Sequence, residues 1–164
     1  MPQLDLTPDL EVKVLDPRLE EWGLPTYQTP LAAAIDMHAC LDNPLILHPA
    51  EQPTLISSGI AVYLNNPHMA AVLMPRSGLG HKKGLVLGNL VGLIDADYTA
   101  AVMISAWNRN APGSAPIVIH PGERIAQLMF VPVIRPSLRI VSEFSGTTQR
   151  GGGGFGSTGT KHQG

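Results

Sequence analysis

The run GLVLGNLVGLI, residues 84–94, followed at once by DADY, residues 95–98, decides the fold class. It is the most apolar stretch of the chain, and glycine returns at 84, 88 and 92. A helix through these positions would be interrupted within two turns, whereas short extended segments tolerate such breaks. Outward from this run the pattern repeats: LEVKVLD (10–16), PLILHP (44–49), GIAVYL (59–64), AAVLMP (70–75), AAVMISAWN (100–108), PIVIHP (116–121), RIAQLMFVPVI (124–134) and SLRIVSEF (137–144). Fifteen Pro and seventeen Gly punctuate these runs. Short aliphatic segments between turn residues at regular spacing predict an all-β sandwich or barrel.

At 164 residues, one domain is expected, large enough to bury a core. With only three Phe, three Tyr and two Trp, that core must be built from Val, Ile, Leu, Ala and Met. An apolar share of 44% with 15% charged residues marks a globular chain. The net charge of −2 argues against a sequence-independent grip on nucleic acid, yet leaves room for a small polyanion held by a few cations. The single cysteine, Cys40, allows no internal disulfide and reads as a small buried hydrophobe, and no Cys/His spacing suits zinc. Neither a signal peptide nor a membrane span is evident, so the expected location is the cytoplasm. From Arg150 the chain reads RGGGGFGSTGTKHQG. The expected organisation is therefore one β domain over 1–149 and a flexible arm over 150–164.

Chemistry concentrates in three places. Between Glu51 and Glu123 the only carboxylates are Asp95 and Asp97. On a strand, residues i and i+2 project from one face, and a carboxylate at the edge of an apolar surface suits a general base acting on water. The plainer reading is a strand end meeting a solvated turn. Next, MPRSGLGHKKG (74–84) packs one Arg, one Ser, two Lys and three Gly into eleven residues. Glycines let backbone N–H groups approach an anion, and Arg offers a fork for phosphate oxygens. A basic surface turn is the alternative. Third, the tail contains Gly154-x-Gly156-x-x-Gly159, but no strand or helix can flank it as a dinucleotide fingerprint requires. A mobile lid carrying Phe155, Ser157 and Thr158 fits better. Ordering residues 150–159 costs on the order of 10 kcal/mol at roughly 1–2 kcal/mol per residue, so the lid is expected to order only on a highly charged ligand. The six His residues are scattered without metal-ligand spacing, and Trp107 and Met103 lie in an apolar strand as core or subunit contact.

Taken together, the segments resemble the homotrimeric dUTPases. AAAIDMHA (32–39), PRSGLG (75–80), GNLVGLIDADY (88–98), PGERIAQL (121–128) and RGGGGFGSTG (150–159) are similar to that family's five ordered motifs, from about Leu24 to Gly159. The resemblance implies a jelly-roll-like subunit, magnesium as cofactor and dUTP as substrate. It implies a homotrimer whose active sites are each built from all three chains. By the same resemblance Asp95 activates water, while Asn89, Leu93 and the backbone of an 88–98 hairpin meet uracil. Tyr98 lies under the deoxyribose, and Met103 joins the substrate-binding positions. Arg76, Ser77, Gly78 and Gln127 hold phosphate oxygens, and Asp36 supports the metal–water network or a neighbouring motif. Phe155 caps the base, Gly156 joins the substrate-binding positions, and Arg150, Ser157 and Thr158 close on the phosphates. Magnesium is held by the triphosphate and water rather than directly by the protein. The sequence departs from the pattern at Leu31, Ala34 and Ala100, where Gly is frequent, and at His38, where Arg is common. A dCTP deaminase on a related fold, a regulatory nucleotide-binding module and a purely structural trimer are the competing readings.

Overall fold

The computed structural model describes residues 8–148 and 151–152. Its regular structure is almost wholly strand: β1 (Glu11–Val14), β2 (Ile35–His38), β3 (Leu45–Leu47), β4 (Thr54–Tyr63), β5 (Met69–Pro75), β6 (Leu85–Leu87), β7 (Gly92–Ile94), β8 (Ala101–Asn108), β9 (Ile117–Ile119) and β10 (Arg124–Pro132). One helical turn, α1 (Leu19–Trp22), and a π-helical turn at Leu79–Lys83 interrupt them. Strands β1-β4-β8-β6 form one sheet, β2-β10-β5-β7 a second, and β3-β9 a two-stranded ribbon. All the strand pairs are antiparallel. This is the jelly-roll-like β architecture expected.

Alternation explains the core. On β8, Val102, Ile104 and Ala106 are buried while Met103, opposite Ser57, faces outward. Period-two burial of this kind puts one face of each sheet inward. Ile56, Ile60 and Val62 of β4 meet Leu73 of β5, Ile35 and Met37 of β2, and Leu128 of β10 in one apolar cluster. Aliphatic side chains do this work, as the shortage of aromatics requires. Trp107 is half-buried and donates its indole N–H to the Glu51 carbonyl at 2.9 Å.

Three expectations about strands are corrected. The run 84–94 is two strands rather than one: β6 pairs with β8 in the first sheet and β7 with β5 in the second. Residues 88–91 cross between the sheets, so 88–98 is not a hydrogen-bonded hairpin. Leu90, at φ +63°, makes the break; a leucine there is strained, which is why the sequence did not announce it. The segment 137–144 alternates like a strand but pairs with no described strand: Leu138 is 90% exposed, Ile140 100% and Phe144 91%. Finally, Asp95 and Asp97 do not share a strand face. β7 ends at Ile94, and Asp95 opens a turn closed by the Tyr98 N–H on the Asp95 carbonyl at 3.2 Å.

Candidate active site

The β5–β10–β2 ladder gathers the first group of site residues. Gln127 lies opposite Met74 on one side and Asp36 on the other. Its side-chain amide donates to the Pro75 carbonyl at 2.9 Å, tying it to the residue before Arg76. Asp36 is 14% exposed and engages two guanidiniums at once: Arg76 Nε at 3.2 Å and Arg124 Nη1 at 3.1 Å. Arg76 also donates through Nη1 to the Arg124 carbonyl at 2.9 Å. One carboxylate thereby fixes two cations whose remaining N–H groups, on partly exposed side chains, can take anionic oxygens. Ser77 and Gly78 follow on the exposed start of the next helical turn. The chemistry of this cluster suits an anion.

Arg124 was not singled out from the sequence. It stands inside PGERIAQL, but its partner Asp36 is 88 residues away and no local pattern links them. His38 belongs to the same neighbourhood: it is buried and lies opposite Arg124 in the β2–β10 register. Burial, and then the positive charges of Arg124 and Arg76, push its imidazole below the ordinary 6.5, against the opposing pull of Asp36.

The second group lies along 88–98. Asn89, Leu93, Asp95 and Tyr98 are all exposed, with Leu93 on β7 opposite Val72. The Tyr98 hydroxyl donates to the Ala101 carbonyl at 2.9 Å, which fixes its ring. Met103, outward-facing on β8, is partly exposed. Leu31, Ala34 and Ala100 adopt no left-handed backbone; among described non-glycine residues only Ala50, Asn65 and Leu90 do. The missing glycines therefore cost no strain.

The two groups stand apart. Ile94 pairs with Ala71, so Asp95 falls beside Ala70 at the start of β5, whereas Arg76 follows its last residue, Pro75. Six residues at roughly 3.3 Å each separate them by about 20 Å along the strand. Arg150, Phe155, Gly156, Ser157 and Thr158 lie outside the described residues. Among the described residues no three of His, Cys, Asp and Glu are grouped to hold one metal ion, and no helix is long and apolar enough to cross a membrane. Cys40 takes no part: burial, reinforced by the charge of Asp16 and a hydrogen bond to it, raises its thiol to about 12.

The family profile described as dUTPase matches residues 20–159. The chain belongs to the dUTPase family. Deoxyuridine 5'-triphosphate nucleotidohydrolase of Methylibium petroleiphilum is 54% identical over 152 residues, which cover 93% of this chain and 98% of the relative. The enzyme of that name from Coxiella burnetii is 50% identical over 155 residues, 94% of this chain and 99% of its own. Among solved structures, a mutant dUTPase of Staphylococcus bacteriophage 80alpha with dUpNHpp superposes with a TM-score of 0.78 at 27% identity, covering 94% of this chain and 100% of that one. Asp36 and Arg124 both lie within the matched span.

Proposed function

We propose that this dUTPase hydrolyses dUTP to dUMP and diphosphate as a cytoplasmic homotrimer, keeping uracil out of DNA and supplying dUMP for thymidylate synthesis. The observation that carries the shared-site part of this reading is the separation along β5: one chain holds the Asp36-bridged arginines at one end and an exposed carboxylate about 20 Å away at the other. A triphosphate bound by Arg76 cannot meet Asp95 of the same chain, so each site joins the Arg76 end of one subunit to the Asp95 end of a neighbour. Unpaired apolar residues at 134–144 supply surface for such an assembly.

In this site Arg76, Ser77, Gly78 and Gln127 hold phosphate oxygens, and Asp36 keeps the Arg76 and Arg124 forks pointed. Asp95 orients water and accepts its proton as the water attacks the α-phosphorus in line; the α-phosphorus–oxygen bond breaks and diphosphate leaves. Asn89, Leu93 and the 88–91 backbone meet the uracil edge, Tyr98 lies under the sugar, and Met103 lines the site. Arg150, Phe155, Gly156, Ser157 and Thr158 close over the ligand as the arm of residues 150–164. The donors gathered around Asp36 suit phosphate oxygens, not a cation. Magnesium held by the triphosphate and water would supply charge neutralisation there. Positioning and charge neutralisation supply most of the rate.

Diphosphate release from dUTP, dCTP, dTTP and UTP, measured side by side with magnesium, tests the reading. Rapid release from dUTP alone is expected; ammonia from dCTP would instead mean deamination. Asp95→Asn should bind dUpNHpp normally and lose turnover by roughly 10²–10⁴-fold, the range for a general base. Turnover near that of the unmodified enzyme would remove Asp95 from its role.

A further inference from the structure

We propose that Asn65 is a positioning residue for hydrolysis: its backbone N–H, presented by a left-handed conformation, locks the turn that carries Asp95. The inference rests on the reading of Asp95 as the base. β7 makes its last ladder pair at Ile94↔Ala71, so Asp95 stands beyond the sheet. No described side chain bonds its carboxylate, and its aim is set by the backbone.

That backbone is a four-residue turn, Asp95-Ala96-Asp97-Tyr98, closed by the Tyr98 N–H on the Asp95 carbonyl at 3.2 Å. The central peptide of such a turn has two orientations, and flipping it places the third residue at positive φ. Asp97 has no positive φ, and the Ala96 carbonyl accepts the Asn65 N–H at 3.2 Å. The Ala96 side chain packs on the core cluster. The central peptide is thus held from both sides, by packing at Ala96 and by one hydrogen bond from a different loop.

The loop is built to present that donor. Leu64 is buried and anchors the end of β4; Asn65 then turns at φ +46°, a conformation asparagine tolerates better than most residues. Beyond it the Asn66 side-chain oxygen accepts the His68 N–H at 2.9 Å, and the Met69 N–H bonds the Asn66 carbonyl at 3.0 Å as β5 begins. Asn65 is exposed. An exposed residue held in a left-handed turn, with its N–H on the base-bearing turn, is explained by that bond.

The test compares Asn65→Pro, which removes the donor and forbids positive φ, with Asn65→Gly, which keeps both, and Asn65→Ala, which keeps the donor at a strained φ. Diphosphate release from dUTP gives kcat and KM, and dUpNHpp gives binding. The expected result is kcat down at least tenfold in Asn65→Pro, about threefold in Asn65→Ala and within twofold of the unmodified enzyme in Asn65→Gly. KM and dUpNHpp affinity should stay within threefold throughout. A folded Asn65→Pro with unchanged kcat overturns the proposal, as does a parallel rise of KM with the fall of kcat. Should Asn65→Pro not fold, equal kcat for Asn65→Ala and Asn65→Gly overturns it instead. Asp95→Asn run alongside separates the two ideas. If it stays active, the base reading fails and this one with it; if it is dead beside an unaffected Asn65→Pro, only the positioning fails.

Discussion

Asp36 touches two arginines, and the histidine two residues on shares their field. His38 is buried opposite Arg124, and its proton affinity is lowered first by burial and then by Arg124. Arg76 acts in the same sense and Asp36 in the opposite one. In the unfolded chain the imidazole titrates near its ordinary 6.5. The folded protein therefore keeps it neutral where the unfolded chain takes up a proton. Its contribution to stability is complete above about pH 6.5 and declines as the pH falls from there towards the lower folded value. Urea midpoints at pH 7.5 and 5.5 should differ less in His38→Asn than in the unmodified protein; equal differences would assign the acid sensitivity elsewhere. The sequence marked His38 only as a departure where Arg is common, and its electrostatic surroundings were not legible there. Its partners come from β5 and β10, and only the register brings them together.

The crossing at 88–91 shows what strand patterns can and cannot convey. Aliphatic content correctly marked 84–94 as strand material, but the departure from one sheet to the other depends on Leu90 at φ +63°, a residue with no turn signature. Conversely, 137–144 carries good alternation, yet a strand exists only where another accepts its hydrogen bonds, and the described chain offers none there. β2 went unread as a strand because IDMH carries one β-branched residue and two polar ones, although its AAAIDMHA segment was noted for its family resemblance. At Gly88 the crossing presses on its neighbours: a Cβ would enter the ring of Pro53 and lie 3.0 Å from Ser105 Oγ. Gly88→Ala should therefore cost about 1–3 kcal/mol by overpacking. Because Asn89 follows directly, the KM for dUTP should rise as well. Thermal melting and steady-state kinetics check both halves, and an unchanged melting temperature would show that the loop yields freely.

At the scale of the molecule, β5 acts as a spacer. It is the common neighbour of β10 and β7, and it carries Arg76 just past one end and Asp95 beside the other. On the proposed reading, a chain so arranged contributes its Arg76 end and its Asp95 end to two different sites. Genetics of mixed assemblies follow from this. Asp95→Asn and Arg76→Ala chains should each be inert alone, yet when unfolded and refolded together they should complement each other. Random threefold assembly from equal amounts pairs an intact aspartate with an intact arginine in about one quarter of the sites. Recovery of roughly that share of activity would show that two defective copies can repair one another across a subunit boundary; a mixture as inert as its parts would mean that each chain works alone.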